Sequence, residues 1–297
     1  MNPPLFIAGS TASGKSAIAM ELARQQGGEI ISVDSMQVYR GLDIGTAKPS
    51  AAEQEAVPHH LIDCATLEET FDAAQFVEAV DQRIPEMEQP IFCGGTGLYF
   101  QAWHEGLGTA PSADPAVRAE LESMTPEERQ EELAAADPET YATIDRENSR
   151  RVVRALEVIR LTGQPFSKQR AQWENTAPAN FFLIERERED LRTRIENRVE
   201  AMFAAGLVEE TCSLRAALEG NPVAQRALGY RQVIGHLQGE QDLPETVALV
   251  KSRTWQFARR QKTWFRRLQG AEIMAVSTDE EPAETAKRIL NKVRNKP

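Results

Sequence analysis

A glycine-rich segment near the amino end constrains this chain more than any other feature. Residues 9–16 have the sequence Gly-Ser-Thr-Ala-Ser-Gly-Lys-Ser; an apolar run at 5–8 precedes them and helix-forming residues at 17–23 follow. Glycines allow a tight turn in which several backbone N–H groups face one anion, and the amino end of a helix adds partial positive charge. This order predicts a phosphate-binding loop. The alternative is a chance match in a glycine-rich turn.

Two side chains of this segment have predicted roles in binding. The Lys15 ammonium supplies a positive charge, and the Ser16 hydroxyl suits a magnesium ion that shares phosphate oxygens with the ligand. The segment indicates a phosphate ester but does not establish a nucleoside triphosphate. The predicted phosphate-binding residues are Gly9, Ser10, Thr11, Ala12, Ser13, Gly14, Lys15 and Ser16.

Short apolar runs alternate with segments of helical periodicity, which predicts an α/β fold: a P-loop parallel-sheet core flanked by helices. Residues 111–179 are helical, acidic and without strand-like runs, so we predict an inserted all-helical subdomain there, with 1–110 and 180–297 forming the catalytic core. Predicted strands are 5–8, 29–33, 59–63, 90–93, 181–184 and 273–276, and predicted helices include 71–87, 249–268 and 283–294.

Composition narrows the class of protein. Charged residues make up 27% of the 297 residues and hydrophobic ones 41%, as in ordinary soluble globular proteins. No apolar run approaches the roughly 20 residues that span a bilayer. The three cysteines show the spacing of neither a metal site nor a disulfide framework. We expect a cytoplasmic protein without a membrane partner, and a monomer.

The net charge of −11 argues against a nucleic-acid partner, but the charge is unevenly distributed, with seven basic and no acidic residues in 251–267. On the predicted helix there, Trp255, Arg259, Lys262 and Arg266 share a face, and such a set can stack a base or cover a nucleic-acid backbone. The alternative is an internal cation–π pair. The predicted buried face consists of Val250, Phe257, Ala258, Trp264, Phe265 and Leu268.

Two arginines of the insertion suit the same partner. Arg150 and Arg154 lie one helical turn apart, opposite an apolar face, where they can contact the phosphates of a ligand lying across the helix. The alternative is a solvated face on which they pair with Glu147 or Glu157.

The candidate catalytic residues follow two of the predicted strands. Asp34 ends the second strand, and it can hold magnesium, act as a general base, or cap a helix. Thr96 offers a hydroxyl after two glycines. No acid ends that strand and no Asn-Lys-x-Asp element is present, which weakens a nucleoside-triphosphate hydrolase interpretation.

Together these segments resemble the tRNA dimethylallyltransferases, and the resemblance covers nearly the whole chain. The Val-Asp-Ser and Asp-Ile-Gly-Thr-Ala-Lys-Pro blocks are highly specific, whereas the glycine loop alone is not. Ser10 stands where the family often has proline, Ser16 replaces the commoner threonine, and no zinc-finger extension is present, so the resemblance is to bacterial members. The matching blocks are 9–16, 31–39, 41–49, 94–99, 111–115, 150–157, 228–232 and 260–266.

The resemblance implies transfer of a dimethylallyl group from dimethylallyl diphosphate to the exocyclic amine of the adenosine that follows the anticodon of tRNA. It implies Mg²⁺, with Ser16 as its ligand, and catalytic roles for Asp34 as the base, Thr96 and Lys15. The anticodon stem-loop contacts that it implies are Asp34, Ser35, Met36, Gln37, Thr96, Arg118, Arg150, Arg151, Val152, Val153, Arg154, Arg226, Gly229, Tyr230, Arg231, Arg259, Arg260, Lys262 and Arg266.

Three other functions are compatible with the residues. An isopentenyltransferase acting on free adenine nucleotide shares the phosphate loop but needs no RNA-binding insertion. A small-molecule kinase with the same loop consumes ATP. A non-catalytic RNA-binding protein with a vestigial phosphate site keeps its function when Asp34 is replaced.

Overall fold

The computed structural model describes residues 2–295, which fall into two compact units. The first, called here the core unit, contains the residues up to His104 and those from Asn175 onward. The second, the helical unit, is Glu105–Glu174. No helix among residues 2–295 is both long enough and apolar enough to cross a membrane.

The core unit is built on a six-stranded sheet in which every pairing is parallel, in the order β3-β2-β4-β1-β5-β6. This confirms the predicted α/β class. The third strand is shorter than the predicted 59–63, because Leu61 and Asp63 adopt left-handed backbone conformations that end it. The strands are β1 (Leu5–Gly9), β2 (Glu29–Val33), β3 (His59–His60), β4 (Pro90–Gly94), β5 (Phe181–Glu185) and β6 (Glu272–Ala275).

Helices cover both faces of this sheet, and alternate residues of each central strand therefore enter two different cores. Phe6 of β1 stacks on Phe92 of β4 at 4.9 Å between ring centroids and joins one core. Ile7 and Ile91 face the other core. The helices outside the helical unit are α1 (Lys15–Gln26), α2 (Ala51–Ala56), α3 (Ala73–Arg83), α4 (Gly97–Glu105), α9 (Arg188–Ala204), α10 (Leu207–Gly220), α11 (Tyr230–Leu237), α12 (Leu243–Phe265) and α13 (Pro282–Arg294).

The helix predicted at 249–268 begins earlier and ends earlier than expected. Its start is fixed by a capping box, in which the Asp242 carboxylate accepts from the Glu245 N–H while the Glu245 side chain accepts from the Asp242 N–H. The helix ends at Phe265, and Leu268 remains buried beyond it.

The helical unit has its own small apolar core, formed mainly by Leu121, Leu133 and Leu156. It begins at Glu105 rather than 111 and ends at Glu174 rather than 179. The Glu174 N–H donates to the Glu105 carboxylate, which closes the two ends of the unit on each other. Its helices are α5 (Pro115–Ser123), α6 (Pro126–Ala136), α7 (Pro138–Thr143) and α8 (Ser149–Thr162).

Candidate active site

The glycine loop lies between β1 and α1, as predicted. Gly14 has φ of +91° and Ala12 has φ of +63°, so the loop turns sharply before α1 begins at Lys15. A Cβ at Gly9 would lie 2.8 Å from Ser13 Oγ, and therefore only glycine allows the loop to close this tightly. Ser13 Oγ is buried and has no hydrogen-bond partner among the described residues, as expected of a donor that faces a phosphate oxygen.

Three side chains that the sequence did not single out hold this loop. Gln261 Oε1 accepts from the Thr11 N–H at 2.8 Å. Arg194 Nε donates to the Ala12 carbonyl at 3.0 Å, and Arg186 Nε donates to the Ser13 carbonyl at 2.8 Å. With its carbonyls bound to arginines, the loop presents the remaining N–H groups to an anion without rearranging.

The Lys15 side chain folds back over the loop, and Nζ donates to the Ser10 carbonyl at 3.2 Å. Burial lowers its pKa below the ordinary 10.5, and the positive charge of Arg198 lowers it further, although Cys93 and Asp34 act in the opposite direction. Burial also raises the pKa of the Cys93 thiol to about 11. A bound diphosphate supplies the negative charge that a buried ammonium lacks.

Asp34 follows β2, and Thr96 follows the neighbouring strand β4. Asp34 Oδ1 accepts from the Met36 N–H at 2.9 Å within a turn rather than at the start of a helix, so the helix-cap alternative is wrong. Its Oδ2 forms no hydrogen bond with the part of the chain that the structure describes. Thr96 Oγ1 accepts from the Ser35 N–H at 3.2 Å. The negative charge of Asp34 raises the pKa values of both Lys15 and Arg198, so the carboxylate is close to both cations.

Arg198 of α9 is a fourth site residue that the sequence did not single out. Its guanidinium makes no hydrogen bond or ion pair with any residue between 2 and 295. Burial lowers its pKa, while the charge of Asp34 raises it. Two buried cations, Arg198 and Lys15, therefore lie near one carboxylate, an arrangement that suits a doubly charged ligand. The signal available in the sequence was the arginine spacing of α9, which helix periodicity alone does not interpret.

The turn after β4 depends on the absence of side chains. A Cβ at Gly94 would lie 2.0 Å from the Val33 carbonyl, and one at Gly97 would lie 2.1 Å from the Trp264 ring. These glycines bring the end of β4 against the end of β2, which places Thr96 next to Ser35.

The predicted magnesium ligand of the site is the Ser16 hydroxyl, an oxygen donor of a type that Mg²⁺ accepts. Ser16 is exposed at the start of α1, and its hydroxyl is a hard oxygen ligand. No group of three or more His, Cys, Asp or Glu side chains in 2–295 forms a complete metal site. Mg²⁺ commonly binds through one or two protein oxygens together with substrate phosphates.

The predicted RNA contacts of the helical unit divide into two groups. Arg150 and Arg151 are exposed at the start of α8. Arg154 and Arg118 instead donate to the Glu157 carboxylate, which is fully buried and also accepts from the Asp114 N–H. The alternative that the arginine pairs with Glu157 is therefore correct for Arg154. Val152 and Val153 are 2% and 3% exposed and lie in the apolar core, so the structure does not support contacts from their side chains.

The exposed face of α12 carries the predicted cations. Arg259, Arg260 and Arg266 are exposed, whereas Lys262 is half-buried and pairs with Glu185 at 3.0 Å. The prediction that Phe257 is buried is wrong: its side chain is 37% exposed because the inward face follows the helical spacing of Thr254, Ala258 and Gln261 instead. Arg260 lies 5.8 Å from the Phe257 ring and Arg188 lies 5.9 Å from the Trp255 ring, so internal cation–π pairs exist.

The remaining candidates lie near the Asp-Ile-Gly-Thr-Ala-Lys-Pro segment or on α11. Gln37 is half-buried and donates to the Thr46 and Ala47 carbonyls. Tyr230 is fully buried; its hydroxyl donates to Glu210 and accepts from the Gly45 N–H, so the structure does not support an RNA contact from its side chain. Gly229 is buried, Ser35 and Met36 are half-buried, and Arg226 and Arg231 are exposed.

Comparison with known proteins gives concordant matches. The family model described as IPP transferase matches residues 37–268. A tRNA dimethylallyltransferase of Geobacter metallireducens is 46% identical over 89% of this chain and 89% of its own length. The tRNA dimethylallyltransferase 1 of Trichlorobacter lovleyi is 44% identical over 88% of this chain and 90% of its own.

Two solved structures extend the likeness to three dimensions. The tRNA isopentenylpyrophosphate transferase of Bacillus halodurans superposes with a TM-score of 0.71 at 34% identity, over 99% of this chain and 96% of its own. A eukaryotic dimethylallyltransferase acting on tRNA gives a TM-score of 0.81 at 25% identity, over 100% of this chain and 81% of its own.

Proposed function

The chain belongs to the IPP transferase family, and on that premise we propose that it transfers a dimethylallyl group from dimethylallyl diphosphate to tRNA. The acceptor is the exocyclic amine of the adenosine that follows the anticodon. The observation that carries this proposal is that Thr96 lies against the N–H of Ser35, the residue after Asp34, and that Asp34 is close enough to Lys15 of the phosphate loop to affect its pKa.

The loop serves the leaving group. As the bond between the allylic carbon and the diphosphate oxygen breaks, negative charge grows on the diphosphate. The loop N–H groups, Ser13 Oγ, Lys15 and Arg198 are donors already in place, so they stabilise this charge without rearranging. Ser16 would hold a magnesium ion, which would supply further neutralisation of the same charge.

Asp34 serves the acceptor. The adenine amine is a weak nucleophile because its lone pair is delocalised into the ring, and it gains strength as its proton leaves. Asp34 Oδ2 is available as the proton acceptor, while Oδ1 holds the carboxylate against the Met36 N–H. The new bond joins the amine nitrogen to the allylic carbon, the proton passes to Asp34, and diphosphate departs with the bonding electrons.

The adenine must leave its stack to reach this site, at a cost of a few kcal/mol that is smallest in an unpaired loop. Exposed cations offset that cost by binding RNA phosphates. We assign this role to Arg226, Arg231, Arg259, Arg260 and Arg266 of the core unit and to Arg150 and Arg151 of the helical unit.

The test is incubation of the pure protein with dimethylallyl diphosphate, Mg²⁺ and either an anticodon stem-loop or AMP, followed by mass spectrometry of the nucleosides. We expect one dimethylallyl group per stem-loop on the adenosine after the anticodon. Preference for AMP would instead establish the free-nucleotide transferase, and ADP formation from ATP without prenyl transfer would establish a kinase.

A further inference from the structure

A buried amide connects the phosphate loop to the turn that carries Thr96. Gln261 lies on the inward face of α12 and is 6% exposed. Its Oε1 accepts from the Thr11 N–H at 2.8 Å, and its Nε2 donates to the Gly95 carbonyl at 3.0 Å. The two partners follow β1 and β4, which are neighbours in the sheet, and Gln261 joins the segments beyond the last strand pair, Ala8 and Gly94.

The Gln261 amide is tightly packed against the turn that carries Thr96. A Cβ at Gly95 would lie 2.2 Å from Gln261 Nε2, so the amide packs directly against the backbone of the turn. The next residue is Thr96, whose hydroxyl accepts from the N–H beside Asp34. The loop that receives the leaving group and the turn that faces the acceptor are thus joined through Gln261.

We propose that Gln261 is a positioning residue for group transfer, which holds the phosphate loop at a set distance from the Thr96 turn. This rests on the proposed function. An amide carries one acceptor and one donor at a fixed separation, so it can bridge an N–H and a carbonyl. With glutamate at position 261, the carboxylate would still accept from the Thr11 N–H but would repel the Gly95 carbonyl. With methionine, the thioether has a similar length but would make neither hydrogen bond.

Positioning predicts a specific kinetic result. When the Gln261 bridge is lost, each substrate can still bind its own part of the site. The distance between the phosphate loop and the Thr96 turn is then less well fixed. Because a displacement of about 1 Å can cost about 100-fold in rate, we expect kcat to fall about 100-fold in Gln261→Met. The dissociation constants of inorganic diphosphate and of an anticodon stem-loop should change by less than about threefold.

Thr254→Val is the matched control. Thr254 is a buried polar residue on the same helix, but its hydroxyl bonds within the helix to the Val250 carbonyl. It should keep wild-type kcat. Amide hydrogen exchange adds a readout that needs no activity: the Thr11 N–H should be protected in the wild type and in Thr254→Val, and should exchange faster in Gln261→Met.

Gln261→Glu tests the second bond separately and remains informative if Gln261→Met does not fold. Its carboxylate repels the Gly95 carbonyl, whereas the protonated carboxyl donates to it. The ratio of its kcat to the wild-type kcat should therefore rise as the pH falls. A purely structural residue predicts no such recovery.

Three results would overturn the proposal: a Gln261→Met kcat within about threefold of wild type, a loss of diphosphate affinity as large as the loss of kcat, or an unprotected Thr11 N–H in the wild type. A wild-type protein that transfers no prenyl group to either acceptor would refute the proposed function instead, and the exchange measurement would still decide whether the bridge exists.

Discussion

The phosphate loop and the outer face of α12 lie in the same unit but satisfy their polar groups in opposite ways. Around the loop, Thr11, Ala12 and Ser13 each have a backbone group bound by a distant side chain. Arg259 on α12 and Arg266 directly after it are exposed, and their guanidinium groups pair with no residue in the described range 2–295. The first arrangement suits chemistry that needs fixed geometry, and the second suits a partner that supplies its own charge.

The largest expected effect comes from the loop side of this comparison. Asp34→Asn removes the proton acceptor while keeping an oxygen for the Met36 N–H. We expect kcat to fall by about 10²- to 10⁴-fold, the usual contribution of a general base. Steady-state rates measure this, and stem-loop affinity should stay unchanged. Wild-type kcat would refute the assigned role.

The helical unit provides an intermediate case, because two of its predicted RNA-binding arginines, Arg118 and Arg154, are already paired. Glu157→Gln removes the charge that holds Arg118 and Arg154. The free energy of unfolding should fall by about 1.5–3 kcal/mol, as for hydrogen bonds to a charged group, which urea denaturation of the variant reveals. The exposed pair Arg192–Glu196 is the control, and Glu196→Gln should have little effect. If Glu157→Gln is neutral, the buried carboxylate does not organise this unit.

Substitutions on the outer face of α12 should weaken the binding of RNA but not the binding of diphosphate. Replacing Arg259 and Arg266 with Ala removes two phosphate contacts, so the slope of log K against log salt should become less steep by about 2. Inorganic diphosphate should bind as before. Arg192→Ala, which removes an exposed arginine that already has a carboxylate partner, is the control. Equal loss of RNA and diphosphate binding would mean that the two arginines support the fold.

The smallest effect concerns pH. The pKa of free Lys15 is below 10.5 because of burial. A bound diphosphate favours the ammonium, so binding takes up a proton wherever free Lys15 is partly deprotonated, and affinity should fall as the pH rises toward 10.5. Lys15→Arg should lack this component, because arginine stays protonated. Calorimetric titration with inorganic diphosphate over this range measures the difference, and identical slopes would contradict it.

Much of the fold follows from local patterns in the chain. Apolar runs at 5–8, 29–33 and 90–93 became β1, β2 and β4, and the glycine loop occupies its expected place before α1. Helical periodicity is less informative on α12. It predicts that Phe257 is buried, but Phe257 is exposed, and it does not predict that Gln261 is buried. A buried amide breaks the apolar pattern, so only its partners explain its position.

Local sequence is enough to predict the strand–loop–helix that suits a phosphate and the place of Asp34 at the end of the next strand, because these depend on residues that are close together in the chain. The pairing of the arginines also depends on contacts between distant elements, which local patterns do not predict. Arg154 and Arg259 both occupy outward positions by helical spacing, yet Arg154 pairs with buried Glu157 and Arg259 stays exposed. The same holds for Gln261 and Arg194, whose partners come from distant elements that meet only when the sheet has formed, and for Arg198, which comes close to Asp34 and Lys15 in the same way.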